Sequence, residues 1–297
     1  MATPIVDDLP QSPIMPVQLG LDDQLQFDCH KGIGCFNKCC QNIDIQLTPY
    51  DILRLKNHLG LSSQEFLHLY TVPFEMDAHG VPGIKLKTAG EESTACQLLT
   101  PDGCGVYEDR PSACRYYALG LVSMRKTGSS IDEDNYFVVK ESHCLGHHEP
   151  KVQTIRQYRK EQGVDLYDEL NREWRQIILK KRSCGPTIGT PSLRSMQLFF
   201  MASYDVDGFR EFVNSASFND VYDIDSALKE EINSDEVKLM QFGFRFLKQV
   251  LFGEQSIAVK PDAMSKRIDR LRARQERQKE LAGGAAQLQD EKYNSID

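Results

Sequence analysis

No apolar run in this sequence approaches the length of a membrane span. Its fully apolar stretches are a few residues long, such as LFFMA at 198–202, against the roughly 20 residues a spanning helix needs. The N-terminal segment MATPIVDDLPQSPIMPVQLG lacks both an early Lys or Arg and an apolar core of signal-peptide length. These absences lead to the expectation of a cytoplasmic protein with no membrane partner. Basic residues are the minority, 35 Lys and Arg against 43 Asp and Glu, for a net charge of −8. Such a chain has no general attraction for phosphate backbones, so no nucleic-acid partner is expected. A GxGxG-type loop to cradle a nucleotide-like cofactor is missing, and so is any internal repeat. There is also no CxxC pair, which excludes a two-pair zinc ribbon.

What the sequence does have is cysteine in clusters. The chain holds nine cysteines in 297 residues, with 40% hydrophobic and 26% charged residues. It is long enough to build its core from apolar side chains without cross-links. In a reducing compartment clustered thiols are more often metal-binding or catalytic than disulfide-bonded, and the odd count agrees.

The chain divides into an extended lead-in (1–24), a cysteine-cluster metal-binding domain (25–150), a helical region (151–259) and a charged helix with a disordered tail (260–297). Residues 25–150 contain eight of the cysteines and all seven histidines. TPYDILRLKNHLG at 48–60 predicts a helix capped by Thr48, opened by Pro49 and stopped by Gly60. SSQEFLHLYTV at 62–72 predicts another, with Ser62 and Glu65 as a capping box. GVPGIKLKTAGEES reads as a short strand or hairpin among turns, and YFVVK at 136–140 as a strand. Beyond Pro150, Leu166, Tyr167, Leu170, Trp174, Ile177 and Ile178 recur at helical spacing, and Phe199, Phe200, Phe242, Phe246, Val250 and Leu251 are core candidates. The expected fold class is α+β and helix-dominated, a cysteine-rich, metal-organised N-terminal domain joined to a helical C-terminal portion. The basic stretch 260–282 reads as a solvated helix, or as a docking face for an acidic partner.

The first cluster is CHKGIGCFNKCC, with Cys29, Cys35, Cys39 and Cys40. The second comprises Cys96, Cys104 and Cys114, and SHCLGHH adds Cys144. Thiolates suit zinc and iron–sulfur clusters rather than hard cations. Gly32 and Gly34 are expected to let the first loop fold tightly. In an extended chain Cys39 and Cys40 would point opposite ways, so that one ligates while the other packs, or each serves a different centre. Pro111 suits a helix's first position, which puts Cys114 in the first turn; the helix dipole with Arg110 and Arg115 would then favour its thiolate. A catalytic Cys–His pair is the competing chemistry, yet it needs one cysteine and leaves seven unexplained. His147 lies three residues after Cys144 and is a candidate ligand; His143 and His148 read as surface or supporting groups. Cys184, alone in its region, reads as a small hydrophobe.

From about Phe27 to Gly146 the chain resembles the YkgJ-type cysteine-cluster family, known as a zinc- or iron-chelating domain. The resemblance rests on FDCHKGIGCFNKCC, LTPYDILRL, the CQLL…GCGVYEDRPSACRYYALG stretch and the late Cys144. It implies metal ligation by Cys29, Cys35, Cys39, Cys40, Cys96, Cys104, Cys114 and Cys144. The family's summary pattern is CxxCxxCC, whereas here five residues separate Cys29 from Cys35 and three separate Cys35 from Cys39. That spacing resembles the flagellin lysine N-methylases, which are linked to an iron–sulfur centre. Three functions follow as expectations: a metal-binding protein holding zinc, iron or an iron–sulfur cluster; an iron–sulfur-dependent protein-lysine methyltransferase; and a structural metal module presenting its C-terminal helices to a protein partner.

Overall fold

The computed structural model describes residues 14–277 other than 16, 77–79, 91, 126–131, 184–191, 267, 270, 271, 274 and 275. The residues read as a disordered tail, together with Cys184 and His79, therefore lie outside the described residues. Helix accounts for 52% of the chain and strand for 16%, a helix-dominated α+β arrangement with the strands towards the N-terminus.

Helix starts follow the sequence closely because capping chemistry is local. Thr48 Oγ1 accepts the Asp51 N–H (3.3 Å) while Asp51 Oδ2 accepts the Thr48 N–H (2.8 Å), which opens α1 (Pro49–Leu59). Ser62 and Glu65 do the same for α2 (Ser63–Tyr70). This second helix stops two residues earlier than its apolar pattern suggests. Thr71–Glu75 forms β2 instead, paired antiparallel with β3 (Pro82–Leu86); β1 is Gln24–Gln26. Pro73 fits β2 because the strand is one side of a two-stranded sheet and can spare an N–H.

A small hairpin of β4 (Leu99–Thr100) and β5 (Gly103–Cys104) precedes the short helix α3 (Ser112–Tyr116). The strands β6 (Leu119–Arg125) and β7 (Asp132–Val138) then form a second, longer hairpin. Part of the lead-in runs along it, with bridges from Ile14 to Val139 and from Leu19 to Tyr136. Strand β8 (Val152–Thr154) returns to pair with β1. The remainder is helical: α4 (Ile155–Gln162), α5 (Val164–Ser183), α6 (Leu193–Tyr204), α7 (Val206–Asn214), α8 (Ala216–Asn219), α9 (Ser226–Ser234) and α10 (Glu236–Phe252).

Two separate apolar clusters result. The larger joins α1, α2 and β3 to α5–α10, with Leu55, Phe66, Phe199, Phe209, Phe242 and Phe246 almost wholly buried. Each such side chain contributes about 1.5–3 kcal/mol of burial. Leu166, placed by its spacing on the apolar face of α5, is instead left exposed. The smaller cluster collects Leu25, Phe27, Tyr116, Tyr136, Ile155 and Tyr158 from β1, α3, β7 and α4. Cys96 and Cys104 pack against the larger cluster and Cys144 against the smaller. The cysteines thus stand along the seam between two cores. Among the described residues no helix is long and apolar enough to cross a membrane.

Candidate metal centre

Consecutive tight turns wind the first cluster. The N–H groups of Ile33, Phe36, Lys38 and Cys40 donate in succession to the carbonyls of His30, Ile33, Cys35 and Asn37. Left-handed backbone is needed at Asn37 (φ 66°) and not at Gly32 or Gly34. Asparagine tolerates this region through its short polar side chain. Cys39 and Cys40 therefore lie in a 3-10 turn (Lys38–Cys40) and not in extended chain, and their sulfurs stand 3.9 Å apart.

Backbone contacts bring the later cysteines to this turn. Cys96 donates its N–H to the Cys40 carbonyl (2.8 Å), and the β4–β5 pairing sets Cys104 opposite Leu99. Cys114 lies in the first turn of α3, as its position after Pro111 predicts. What fixes α3 is Asp51, fully buried, whose carboxylate accepts the Ser112 N–H and hydroxyl at 2.8 Å each. One carboxylate thus caps α1 and holds the helix that carries Cys114. Cys144 follows β7, and the Leu145 N–H donates to Cys35 Sγ (3.2 Å).

Gly146 secures the last of these approaches. Its carbonyl accepts the Asp28 N–H (3.1 Å), and a Cβ there would stand 2.5 Å from the Asp28 carbonyl oxygen and 2.6 Å from Phe27. Gly146→Ala is expected to push the Cys144 loop away from the Cys29 segment at a cost of about 1–3 kcal/mol. Thermal unfolding and metal retention of the variant check this; an unchanged melting point would mean that the loop yields freely.

The eight thiols are all free and line two neighbouring cavities. Cys40, Cys96, Cys104 and Cys114 face the larger, of about 180 Å³. Cys35 and Cys144 face the smaller, of about 20 Å³, and Cys29 and Cys39 border both. Electrostatics couple the two walls through Cys39, which raises Cys96, Cys104 and Cys114 as well as Cys29. Burial pushes the Cys29 thiol up to about 11, reinforced by Cys39, Cys35 and Cys144. Burial also raises Cys114, reinforced by Cys96 and Cys104. The hydrogen bond with Cys40 brings Cys39 down to about 7, while it holds Cys40 in the thiol form.

Neither flanking arginine is among the leading influences on the Cys114 thiol, and both guanidinium groups are directed at other partners. Arg115 donates to the carbonyls of Arg110 (3.0 Å) and Gln162 (2.7 Å), and Arg110 to the Tyr107 carbonyl (2.7 Å) and Gln162 Oε1 (2.6 Å). VYEDRPSACR is thus largely scaffold: its arginines fasten the Cys114 loop to the end of α4. Arg110 does lower the neighbouring Cys104, although burial raises that thiol by more. Crowded, partly desolvated thiols are what a bound metal cation relieves, since it converts mutual repulsion into ligation. Among the described residues no three His, Cys, Asp or Glu side chains are gathered tightly enough to hold an ion as they stand.

Residues 28–145 match the CxxCxxCC family model. Its description reads "Putative zinc- or iron-chelating domain". Comparison with curated proteins and with solved structures gave no match. All eight thiols fall inside the CxxCxxCC segment, whereas Lys151, Gln153, Tyr158 and Gln162, which complete the wall of the larger cavity, fall outside it.

The histidines are arranged otherwise than the sequence suggests. His147 sets Nε2 against the Val139 carbonyl (2.9 Å) and its ring on Phe27 (centroids 5.0 Å apart), and it borders neither cavity. His143 does border the smaller one, beside Cys144 and Tyr117, whose hydroxyl donates to Glu141 Oε2 (2.6 Å). Sequence reasoning reads Asp51 only as part of the α1 cap; its hold on Ser112 depends on a partner 61 residues away in the chain.

Proposed function

We propose that the protein chelates zinc or iron in two adjacent four-thiolate centres. One comprises Cys40, Cys96, Cys104 and Cys114; the other comprises Cys29, Cys35, Cys39 and Cys144. The observation that supports this reading is the gathering of eight free thiols on two adjoining cavity walls, Cys40, Cys96, Cys104 and Cys114 on one, Cys35 and Cys144 on the other, with Cys29 and Cys39 bordering both. Cys39 and Cys40, adjacent in one turn, supply one ligand to each centre and tie the two together. Four thiolates are a complete ligand set for a structural zinc or for an iron–sulfur cluster. Drawing the sulfurs onto a metal would pull the two apolar clusters together, so that part of the binding energy is folding energy.

Metal content and an absorbance spectrum of protein purified without oxygen test the reading. Two zinc equivalents in a colourless protein, or iron with labile sulfide in a brown one, are the expected alternatives, and they identify the metal. Cys35→Ser and Cys96→Ser should each remove about half of the metal and leave the other centre filled. Complete loss in both variants would mean a single shared centre. Full content in both would end the chelation reading.

A further inference from the structure

The larger cavity carries a buried positive charge that no carboxylate balances. Arg110 lines it beside the four thiols and is 8% exposed. Its guanidinium lies 4.0 Å from the Tyr107 ring centroid and donates to the Tyr107 carbonyl (2.7 Å) and to Gln162 Oε1 (2.6 Å), all neutral groups. The other charged groups on that wall, Asp28 and Lys151, stand 4.0 Å apart, and Lys151 also bonds Glu161 Oε2 (2.7 Å). Among the described residues no Arg or Lys borders the smaller cavity. Apart from its thiols and Tyr117, the ionisable groups there are Asp28 and His143, and His143 Nε2 stands 3.5 Å from Glu141 Oε2. Burial and the neighbouring sulfurs raise Cys29, and Asp28 adds to them. Access differs in the same sense. Cys29 and Cys39 of the smaller centre are exposed, whereas Cys40, Cys96, Cys104 and Cys114 are all half-buried.

A buried cation costs free energy unless an anion faces it. Four thiolates around a divalent ion leave two negative charges uncompensated. Ligation in the larger cavity would therefore supply the anion that Arg110 lacks. We propose that Arg110 is the counter-charge of the larger centre, which for that reason retains its metal, while the smaller centre, more exposed and without a cation, exchanges metal with other chelators. This inference rests on the two-centre reading above and adds a division of labour to it. An opposite charge beside an ionised group favours the charged form by about tenfold or more.

The test is titration of zinc-loaded, full-length protein with EDTA, measuring the zinc that stays on the protein. Half of the zinc is expected to leave first. Cys35→Ser, which keeps the larger centre, should lack this early half, and Cys96→Ser should lack the late one. In Arg110→Met the late half should leave at about tenfold lower EDTA, with the early half unmoved. Arg110→Gln is a second neutral replacement should the first not fold. Arg110→Lys keeps the charge without the fork that spans Tyr107 and Gln162, so it should hold the late half near its original midpoint. Two halves that leave together overturn the proposal, and so does a late half indifferent to Arg110→Met. A late half as weak in Arg110→Lys as in Arg110→Met also overturns it, because hydrogen bonding and not charge would then be responsible. Zinc content before EDTA is added separates the two readings. Protein that takes up less than two equivalents ends the two-centre reading itself, whereas fully loaded protein with any of the contrary results loses only the division of labour.

Discussion

Replacing Cys114 by serine is expected to empty the centre it shares with Cys40, Cys96 and Cys104 and to loosen the seam. Burial beside Cys96 and Cys104 raises this thiol, and α3 cannot carry it elsewhere because Asp51 pins Ser112. A serine hydroxyl is a far poorer ligand for a thiophilic metal. Structural zinc contributes about 10–16 kcal/mol in small zinc domains, so loss of one ligand of four should cost at least ~4 kcal/mol, about a thousandfold in metal affinity. At roughly 2–4 °C per kcal/mol the melting point should fall by about 10 °C or more. Calorimetric unfolding with metal analysis measures both. A variant that keeps its metal and its melting point would show that Cys114 is a buried hydrophobe and no ligand.

Asp168→Ala should produce the other large effect, at a site without cysteine. Asp168 is 5% exposed and receives Arg159 (2.8 Å), Arg175 (2.7 Å) and the Tyr116 hydroxyl. The network links Tyr116, two residues after Cys114 and part of the smaller core, to α5 of the larger. Removing the carboxylate leaves the buried Arg159 guanidinium with the Tyr116 hydroxyl and, as its remaining anionic partner, Asp165, which is 65% exposed. Breaking a buried pair by deleting one partner costs about 3–5 kcal/mol; the remaining Asp165 contact places this case near ~3 kcal/mol. Asp165→Ala, by contrast, removes an exposed contact and should cost under about 1 kcal/mol. Denaturant unfolding of both variants provides the comparison. Equal costs would mean that Arg159 reaches water once Asp168 is gone.

Local chemistry made much of the fold legible in the sequence. Capping boxes at Thr48 and Ser62, the stop at Gly60, and the apolar spacing of Trp174, Ile177 and Phe242 act within one or two helical turns. The end of α2 was less legible, because pairing of Thr71–Glu75 with Pro82–Leu86 outweighs a helical pattern that runs on to residue 72. The thiols could be nominated as ligands from their number and clustering, but their grouping could not. Cys39 and Cys40 are separated or brought together according to whether their segment is extended or turned, and that turn rests on a left-handed Asn37.

The sequence by itself determined the helix starts, the composition of the cores and the presence of a thiol-rich region suited to a soft metal. Each depends on neighbours along the chain or on counting residue types. Only the tertiary structure decided that Asp51 fixes Cys114, that Arg110 and Arg115 bind Gln162, and that the eight thiols line two adjoining cavities. Each joins groups far apart in the chain, Asp51 and Ser112 by 61 positions and the two arginines and Gln162 by 52 and 47. Such pairings are set by the meeting of two apolar cores, which no spacing of residues encodes locally.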